Sequence, residues 1–573
     1  MTQASFGSSN AASVARPGSG LTRTTGCAGA VGSALGVWSP GAEALQALAI
    51  GLGPALRRVS HPVFIVGTDD GPAVAQDGCA ALGSGATAKP ETLPLLGYAA
   101  PLSLSRLGDP SFCADHGLRF AYVSGAMANG IGSVAIAREM ARVGMLGVFG
   151  AAGLAVERVR AAIDELQTTL NGRAFGMNLI HSPNEPHLEA EIAALYLDRG
   201  IRLVEASAYL GLTLPIVRYR VAGIHEDADG RIVTPNRVLA KVSRVEVAAR
   251  FMAPPPEKFL AELVAEGFIT ESQARMAQRV PLAQDITAEA DSGGHTDNRP
   301  ALALVPTLIA LRDRMQSMHG YSAALRVGAA GGIATPAAAA AAFGMGAAYV
   351  VVGSIHQACQ EAGTSDLVRA MLAEAEQADT AMAPAADMFE MGVRVQVLKR
   401  GTLFAPRAQK LYDLYRAYGS LEELPATERA SLEKTILRAS IDEVWAHTKR
   451  FFEHRDPSQI ERAEREPKHR MALVFRWYLG KASNWANAGV ADRKIDYQVW
   501  CGPGMGAFNE WVRGSFLEPV AARRVSTVAL NLLYGAAVCQ RIASLRSQGV
   551  SVPPEAAHVT PTEPEVILEH ATP

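Results

Sequence analysis

An α/β fold built as a (β/α)8 TIM barrel is what this sequence predicts, with a small N-terminal subdomain, a helical insert and a C-terminal helical domain added to it. Three observations carry the prediction. Between residues 119 and 355, eight short apolar runs alternate with amphipathic helical stretches, the pattern of a parallel sheet with crossover helices. Several runs end in Gly or in a polar side chain, as strands do where a barrel holds its ligand. After about residue 390 the alternation stops and helical periodicity takes over. A doubly wound open sheet is the competing layout, and the count of eight favours the closed barrel.

Composition narrows the class. The chain has 573 residues, 49% of them hydrophobic and 19% charged, and 54 basic against 56 acidic residues give a net charge of −2. That balance supplies no field for nucleic acid or an anionic membrane surface. The six cysteines lie far apart with no CxxC pair, which argues against a disulfide framework or a metal site and suits a reducing, cytoplasmic setting.

In chain order, residues 1–45 are rich in Ser, Gly, Ala and Thr and read as a disordered leader without the pattern of a signal peptide. Residues 46–118 hold one clear strand, PVFIVG (62–67), among Gly/Pro-rich loops, and read as the small subdomain. The barrel, 119–388, takes its strands from FAYVSG (120–125), GVFG (147–150), FGMNLI (175–180), RLVEAS (202–207), RVLAKV (237–242), DITAEA (285–290), LRVGAAGG (325–332) and AYVVVG (348–353). Val327 to Ile355 contains no charge. Its GG pair and Thr335-Pro336 make it strand, turn, helix and strand, not a membrane span. Residues 251–283 form a two-helix insert after the fifth strand, expected where a lid would sit. The helical domain spans 389–550, and the Pro- and Glu-rich residues 551–573 read as a disordered tail.

Candidate site residues are sought at strand ends. Gly331-Gly332 follows the seventh strand and Gly353-Ser354 the eighth. Two such turns present backbone N–H groups to an anion, the usual phosphate site of a barrel. Gly125, Ala126 and Met127 follow the first strand, where small residues let a flat ring approach the backbone. Asn178 ends the third strand, with an amide able to bond a heterocycle edge in both directions. Glu205 and Ser207 end the fourth, and Lys241 lies on the fifth. In ADSGGHTDNRP (290–300), after the sixth strand, Gly294 lets the backbone approach a ligand and His295 brings an imidazole that titrates near neutral pH. Each has a plainer reading as a turn or core residue. No histidines pair at metal-ligand spacing.

These residues resemble the flavin-dependent family of nitronate monooxygenases and FabK-like enoyl reductases, through SGAMANGIGSVAIAREMARVGMLGVFGAAG (124–153), FGMNL (175–179), AEADSGGH (288–295) and GAAGGIATPAAAAAAFGMGAAYVVVGS (328–354). The resemblance is closer to the PfaD family of trans-acting enoyl reductases of polyunsaturated fatty acid and polyketide synthases. It extends from about 60 to 548 through SGGHTDNRPALALVP, FEMGVRVQVLKRGTLFAPRAQKLYDLY (389–415) and YLGKASNWAN (478–487). The resemblance implies a barrel that binds FMN and takes electrons from NADPH or NADH. Gly125, Ala126 and Met127 would lie by the isoalloxazine, Asn178, Glu205 and Lys241 around its polar edge, and Gly331, Gly332, Gly353 and Ser354 at the phosphate. His295 would be the acid or base, and the substrate an enoyl thioester on an acyl carrier protein domain. A homodimer is compatible with it. FabK-like chains follow the His with a small Gly turn, whereas Thr296-Asp297-Asn298-Arg299 stands here. Nitronate oxidation on the same barrel and a non-catalytic synthase scaffold stay open at this point.

Overall fold

Eight parallel strands close into a barrel in the computed structural model of the chain, which describes residues 34–83, 91–181 and 185–571. They are β1 (Tyr122–Ser124), β2 (Leu146–Phe149), β3 (Gly176–Ile180), β4 (Leu203–Ser207), β5 (Arg237–Val242), β6 (Asp285–Glu289), β7 (Arg326–Ala330) and β8 (Val350–Val352). Strand follows strand around the wall, and β8 closes on β1 through Val350 opposite Tyr122. Each falls on one of the eight apolar runs. The reason is burial: most strand residues are covered on both faces, so the runs read as nearly continuous apolar segments.

The amino-terminal end of the barrel is plugged by charge. Arg326 opens β7 and is 2% exposed. Its Nε donates to Asp285 at 2.6 Å and its Nη1 to Asp115 at 2.7 Å. His116, at the end of the helix Pro110–His116, meets the other oxygen of Asp285 at 2.8 Å. Burial would raise the Asp285 pKa, but His116 and Arg326 outweigh it and hold the carboxyl down to about 2. Chemistry is thereby left to the opposite, carboxyl-terminal end.

The N-terminal strands form a six-stranded antiparallel sheet in the order Gln46–Ala47, Gly71–Ala75, Val63–Thr68, Leu93–Ala99, Gly36–Ser39, Cys79–Leu82. Residues 1–33 of the expected leader lie outside the described residues. Gly36–Ser39, inside its expected bounds, is a strand whose Trp38 is 1% exposed and donates its indole N–H to Asp77. The expected disordered tail also differs: it carries the helices Pro554–Ala557 and Pro564–Ala571, with Ile567 fully buried. Its Pro- and Glu-rich composition hid its apolar anchors: Ala556 is buried in the same core as Ile567, with Val552 and Val559 packed against it.

The insert is not a lid. After β5 the helix Val245–Met252 first carries the chain toward the amino-terminal end, and only then do Glu257–Ala265 and Glu271–Ala277 follow. Arg220 donates to Pro281 O at 3.2 Å and to Asn236 O at 2.7 Å, beside the start of β5. Gln273 donates to Ile224 O. No residue of 251–283 lines the mouth.

The mouth is covered instead by the C-terminal region. A hairpin of Thr380–Pro384 and Arg394–Leu398 leads into the helices Phe404–Ala417, Ile441–Arg455, Ser458–Arg465 and Pro467–Ala488. These share a core of their own around Phe389, Leu411, Val444, Phe475 and Leu479. The helices Gly504–Val512 and Val525–Ser547 then return to the core of the barrel. Val525–Ser547 is the one helix among the described residues long and apolar enough to cross a membrane, and 78% of its apolar window is buried within the fold.

Candidate active site

At the carboxyl ends of the strands lies a cavity of about 900 Å³, within the size range of small-molecule sites. All the candidate residues except Glu205 line it. Gly125, Ala126 and Met127 come from the turn after β1, Asn178 from β3, Lys241 from β5, Gly294 and His295 from the loop after β6, Gly331 and Gly332 from the turn after β7, and Gly353 and Ser354 from that after β8.

Glu205 stands behind this wall. It is 1% exposed, and its Oε2 accepts the Ala126 N–H at 2.7 Å. Its Oε1 has no hydrogen-bond partner among the described residues. Burial raises its pKa against the opposing pull of Lys241 and the Ala126 N–H. Its evident work is to hold the turn after β1. Asn178 is likewise committed in part: its amide nitrogen donates to Glu205 O at 3.0 Å and Ser207 Oγ at 2.9 Å. Only its carbonyl oxygen is left for a ligand, so bonding in both directions is ruled out in this arrangement. Lys241 sits 3.1 Å from Glu289. Burial opposes the ammonium charge, but Glu289 and Glu205 outweigh it and raise the Lys241 pKa.

His295 is fixed by a partner that sequence reasoning missed. Gly294–His295 forms a two-residue strand against Arg394–Leu398, with His295 opposite Val395. The turn of that hairpin carries Asp387, whose Oδ1 lies 3.1 Å from His295 Nε2. Burial lowers the imidazole pKa, but Asp387, with Glu289 adding to it, prevails over burial and Lys241 and raises it. No local motif marks Asp387; the pair is made by strand pairing across 92 residues. The Thr-Asp-Asn-Arg departure also has a structural account. Asp297 accepts from Ser243 at 2.6 Å and from Arg244 at 2.9 and 3.0 Å, which pins the loop to the end of β5.

The two glycines after β7 differ in role. Both are in the left-handed region, at φ +85° for Gly331 and +72° for Gly332. A Cβ on Gly331 would lie 2.6 Å from the Ala290 carbonyl carbon, whereas one on Gly332 would meet nothing within 4 Å. Gly331 is therefore packed against the β6 loop, and Gly332 borders open cavity. The segment 501–504 abuts this turn and the β6 loop: a Cβ on Gly504 would be 3.2 Å from Ala334 Cβ and 3.6 Å from Gly332 Cα, and one on Gly502 would be 2.8 Å from Gly293 N. The hydroxyl of Ser292, also on the wall, is buried without a partner among the described residues.

Two cap helices, Ile441–Arg455 and Pro467–Ala488, form the outer wall. Arg455 pairs with Glu185, Nη2 to Oε2 at 3.1 Å, and Asn129 donates to Ser483 at 2.7 Å, so the cap is tied to the barrel on two sides. Just below the site, His356 bridges Tyr122 OH at 2.9 Å and Ser124 Oγ at 2.8 Å. Burial pushes its pKa down to about 3, so it is a neutral, structural imidazole.

The mouth of the barrel thus brings two glycine turns, a lysine–glutamate pair and a histidine–aspartate pair into one cavity. The family model described as nitronate monooxygenase matches residues 118–412, and the chain belongs to that family. A second model, described as the inserted helical domain of acyl-carrier-protein S-malonyltransferase, matches residues 418–497, the cap. The enoyl reductase domain of MlnA, from the macrolactin biosynthesis cluster of Bacillus amyloliquefaciens, is 40% identical with a TM-score of 0.73, over 77% of this chain and 100% of that one. One of the polyunsaturated fatty acid synthase polypeptides of Thraustochytrium sp. is 48% identical over 78% of this chain and 30% of its own. The polyketide biosynthesis protein PksE of Bacillus subtilis is 44% identical over 77% of this chain and 57% of its own. The chain thus spans less than two thirds of the length of either of these two relatives.

Proposed function

We propose that the chain is an FMN-dependent enoyl reductase acting on 2,3-enoyl thioesters carried by acyl carrier protein domains, with a reduced nicotinamide cofactor as electron donor. The observation that carries this reading is His295 held against Asp387 in the same cavity as the glycine turns. The fit to the flavin is supported by Gly332 bordering open space and by the unpartnered Ser292 hydroxyl. The backbone N–H groups of Gly331, Gly332, Gly353 and Ser354 would hold the phosphate. Gly125, Ala126, Met127 and Gly294 would border the ring, with the Asn178 carbonyl and the Lys241 ammonium at its polar edge; Glu205 supports the turn below. FMN, when bound, supplies the hydride that Cβ of the enoyl group receives.

The chain's own residues manage the proton. Reduction leaves negative charge on the thioester oxygen, and Cα must be protonated. His295 Nε2 is engaged by Asp387, so Nδ1–H is the proton the imidazolium has to give. The raised pKa keeps that proton in place to higher pH than in a free imidazole. The same shift counts against the rival reading of a nitronate-type oxidase in which His295 acts as a base. The test is reduced-nicotinamide oxidation with a crotonyl carrier-protein thioester, with released flavin measured alongside. Turnover by yellow protein is expected, and His295→Ala should retain flavin while losing roughly a hundredfold or more of it. Flavin-free protein, or oxygen consumption with alkyl nitronates and none of this turnover, would reject the assignment.

A further inference from the structure

The cations around the cavity fall into two groups. Lys241, Arg455 and Arg476 are each paired with a carboxylate, Glu289, Glu185 and Glu390 respectively. Arg450 and Lys481 line the same cavity from the two cap helices, are exposed, and form no ion pair among the described residues. Beside them Phe451 is 54% exposed. Trp477, on the cap wall, stacks on His447 with ring centroids 6.3 Å apart. Its indole N–H is buried with no acceptor among the described residues. An unmet buried donor costs about 1–3 kcal/mol unless something accepts from it, so it marks a place where a ligand acceptor belongs.

The wall therefore presents two cations without an ion pair among the described residues, an exposed ring beside one of them and one unmet N–H donor, all in the same cavity as the His295–Asp387 pair. A complementary ligand has an anionic head, an amide-bearing middle and a reactive tail. We propose that this wall is the binding track for a 4′-phosphopantetheine arm. Arg450 and Lys481 receive its phosphodiester, the Trp477 N–H its amide carbonyl, and the thioester is delivered to His295. The geometry of a phosphate suits this pair, because a guanidinium offers a fork of donors and an ammonium a mobile point charge. The inference rests on the enoyl reductase reading and adds to it how the substrate is told apart from a free acyl group.

One acyl group on two small carriers tests it, 4′-phosphopantetheine and pantetheine, which differ only by the phosphate. The holoenzyme should show a KM lower by about tenfold for the phosphorylated arm, the effect of one charge-assisted contact set. In Arg450→Glu/Lys481→Glu the two KM values should converge, with flavin content as the check on folding. Arg450→Gln/Lys481→Gln, a milder pair, should narrow the gap part-way. Equal KM values in the unaltered enzyme, or an undiminished gap in flavin-loaded variants, would overturn the proposal. So would a rise confined to the KM of the nicotinamide cofactor, which would assign the cations to that cofactor's phosphates. Flavin-loaded enzyme that reduces neither arm nor a carrier-bound enoyl group would instead fell the enoyl reductase reading itself.

Discussion

Asp387 sets the proton affinity of His295, and the sign of its effect can be tested. It raises the imidazole pKa, against burial, so the protonated acid persists to higher pH than in a free imidazole. In Asp387→Asn the negative charge is gone and the pKa falls. The alkaline limb of the kcat/KM profile should move to lower pH by roughly one unit or more, the usual effect of a carboxylate at hydrogen-bond distance. Well below both values the variant should recover most of its activity, because its imidazole is again protonated. A uniform loss with no displacement of the limb would give Asp387 a merely structural role. His295 itself was legible in the sequence because it follows two glycines at a strand end. Asp387 was not, because nothing around Ala386-Asp387-Met388 announces a partner for an imidazole brought to it by a hairpin.

At the level of elements, the glycine turns after β7 and β8 could be read from the chain because a tight turn is a local matter: its residues are neighbours. The direction of the insert could not. Length between β5 and β6 says that something is added, but Val245–Met252 decides at which end, because its last residues lie beside the start of β6, where the Ala283 N–H donates to Phe251 O, before the added helices begin. The cap was legible as helices and not as a wall, since Arg455–Glu185 and Asn129–Ser483 join segments far apart in sequence. The Gly332 turn yields a controlled prediction. Gly332 and Gly514 have the same φ of +72° and each has open space where a Cβ would go. Only Gly332 lines the cavity. Gly332→Ala and Gly514→Ala therefore impose similar backbone strain, of about 1–2 kcal/mol. Only the first should weaken FMN binding, by about tenfold in flavin-fluorescence titration; equal weakening by both would trace the effect to strain and remove the phosphate from this turn.

Over the whole molecule, the N-terminal sheet, the barrel and the last long helix are joined into one body by contacts no local pattern encodes. Arg541, on Val525–Ser547, is 2% exposed. It donates to the carbonyls of Leu56 at 2.8 Å, Arg58 at 3.0 Å and His61 at 2.6 Å, at the end of the helix Leu48–Arg57 and just beyond it. Tyr534, two turns earlier, donates to Arg57 O at 2.9 Å. Burial lowers the Arg541 pKa to about 10, so the guanidinium stays charged at neutral pH and its hydrogen bonds are charge-assisted. Arg541→Met keeps the apolar stem and removes this donor from all three carbonyls, of which that of Leu56 is buried and that of Arg58 keeps the His61 N–H. The expected cost is about 2 kcal/mol, that of losing charge-assisted hydrogen bonds at a largely buried junction, read as a lower urea midpoint at unchanged slope. Arg541 is absent from the cavity wall, so flavin content and turnover of the folded fraction should be those of the unaltered chain. An unchanged midpoint would mean that the sheet and the helix are held together by apolar packing alone. A loss of flavin without loss of stability would mean instead that this distant junction governs the site.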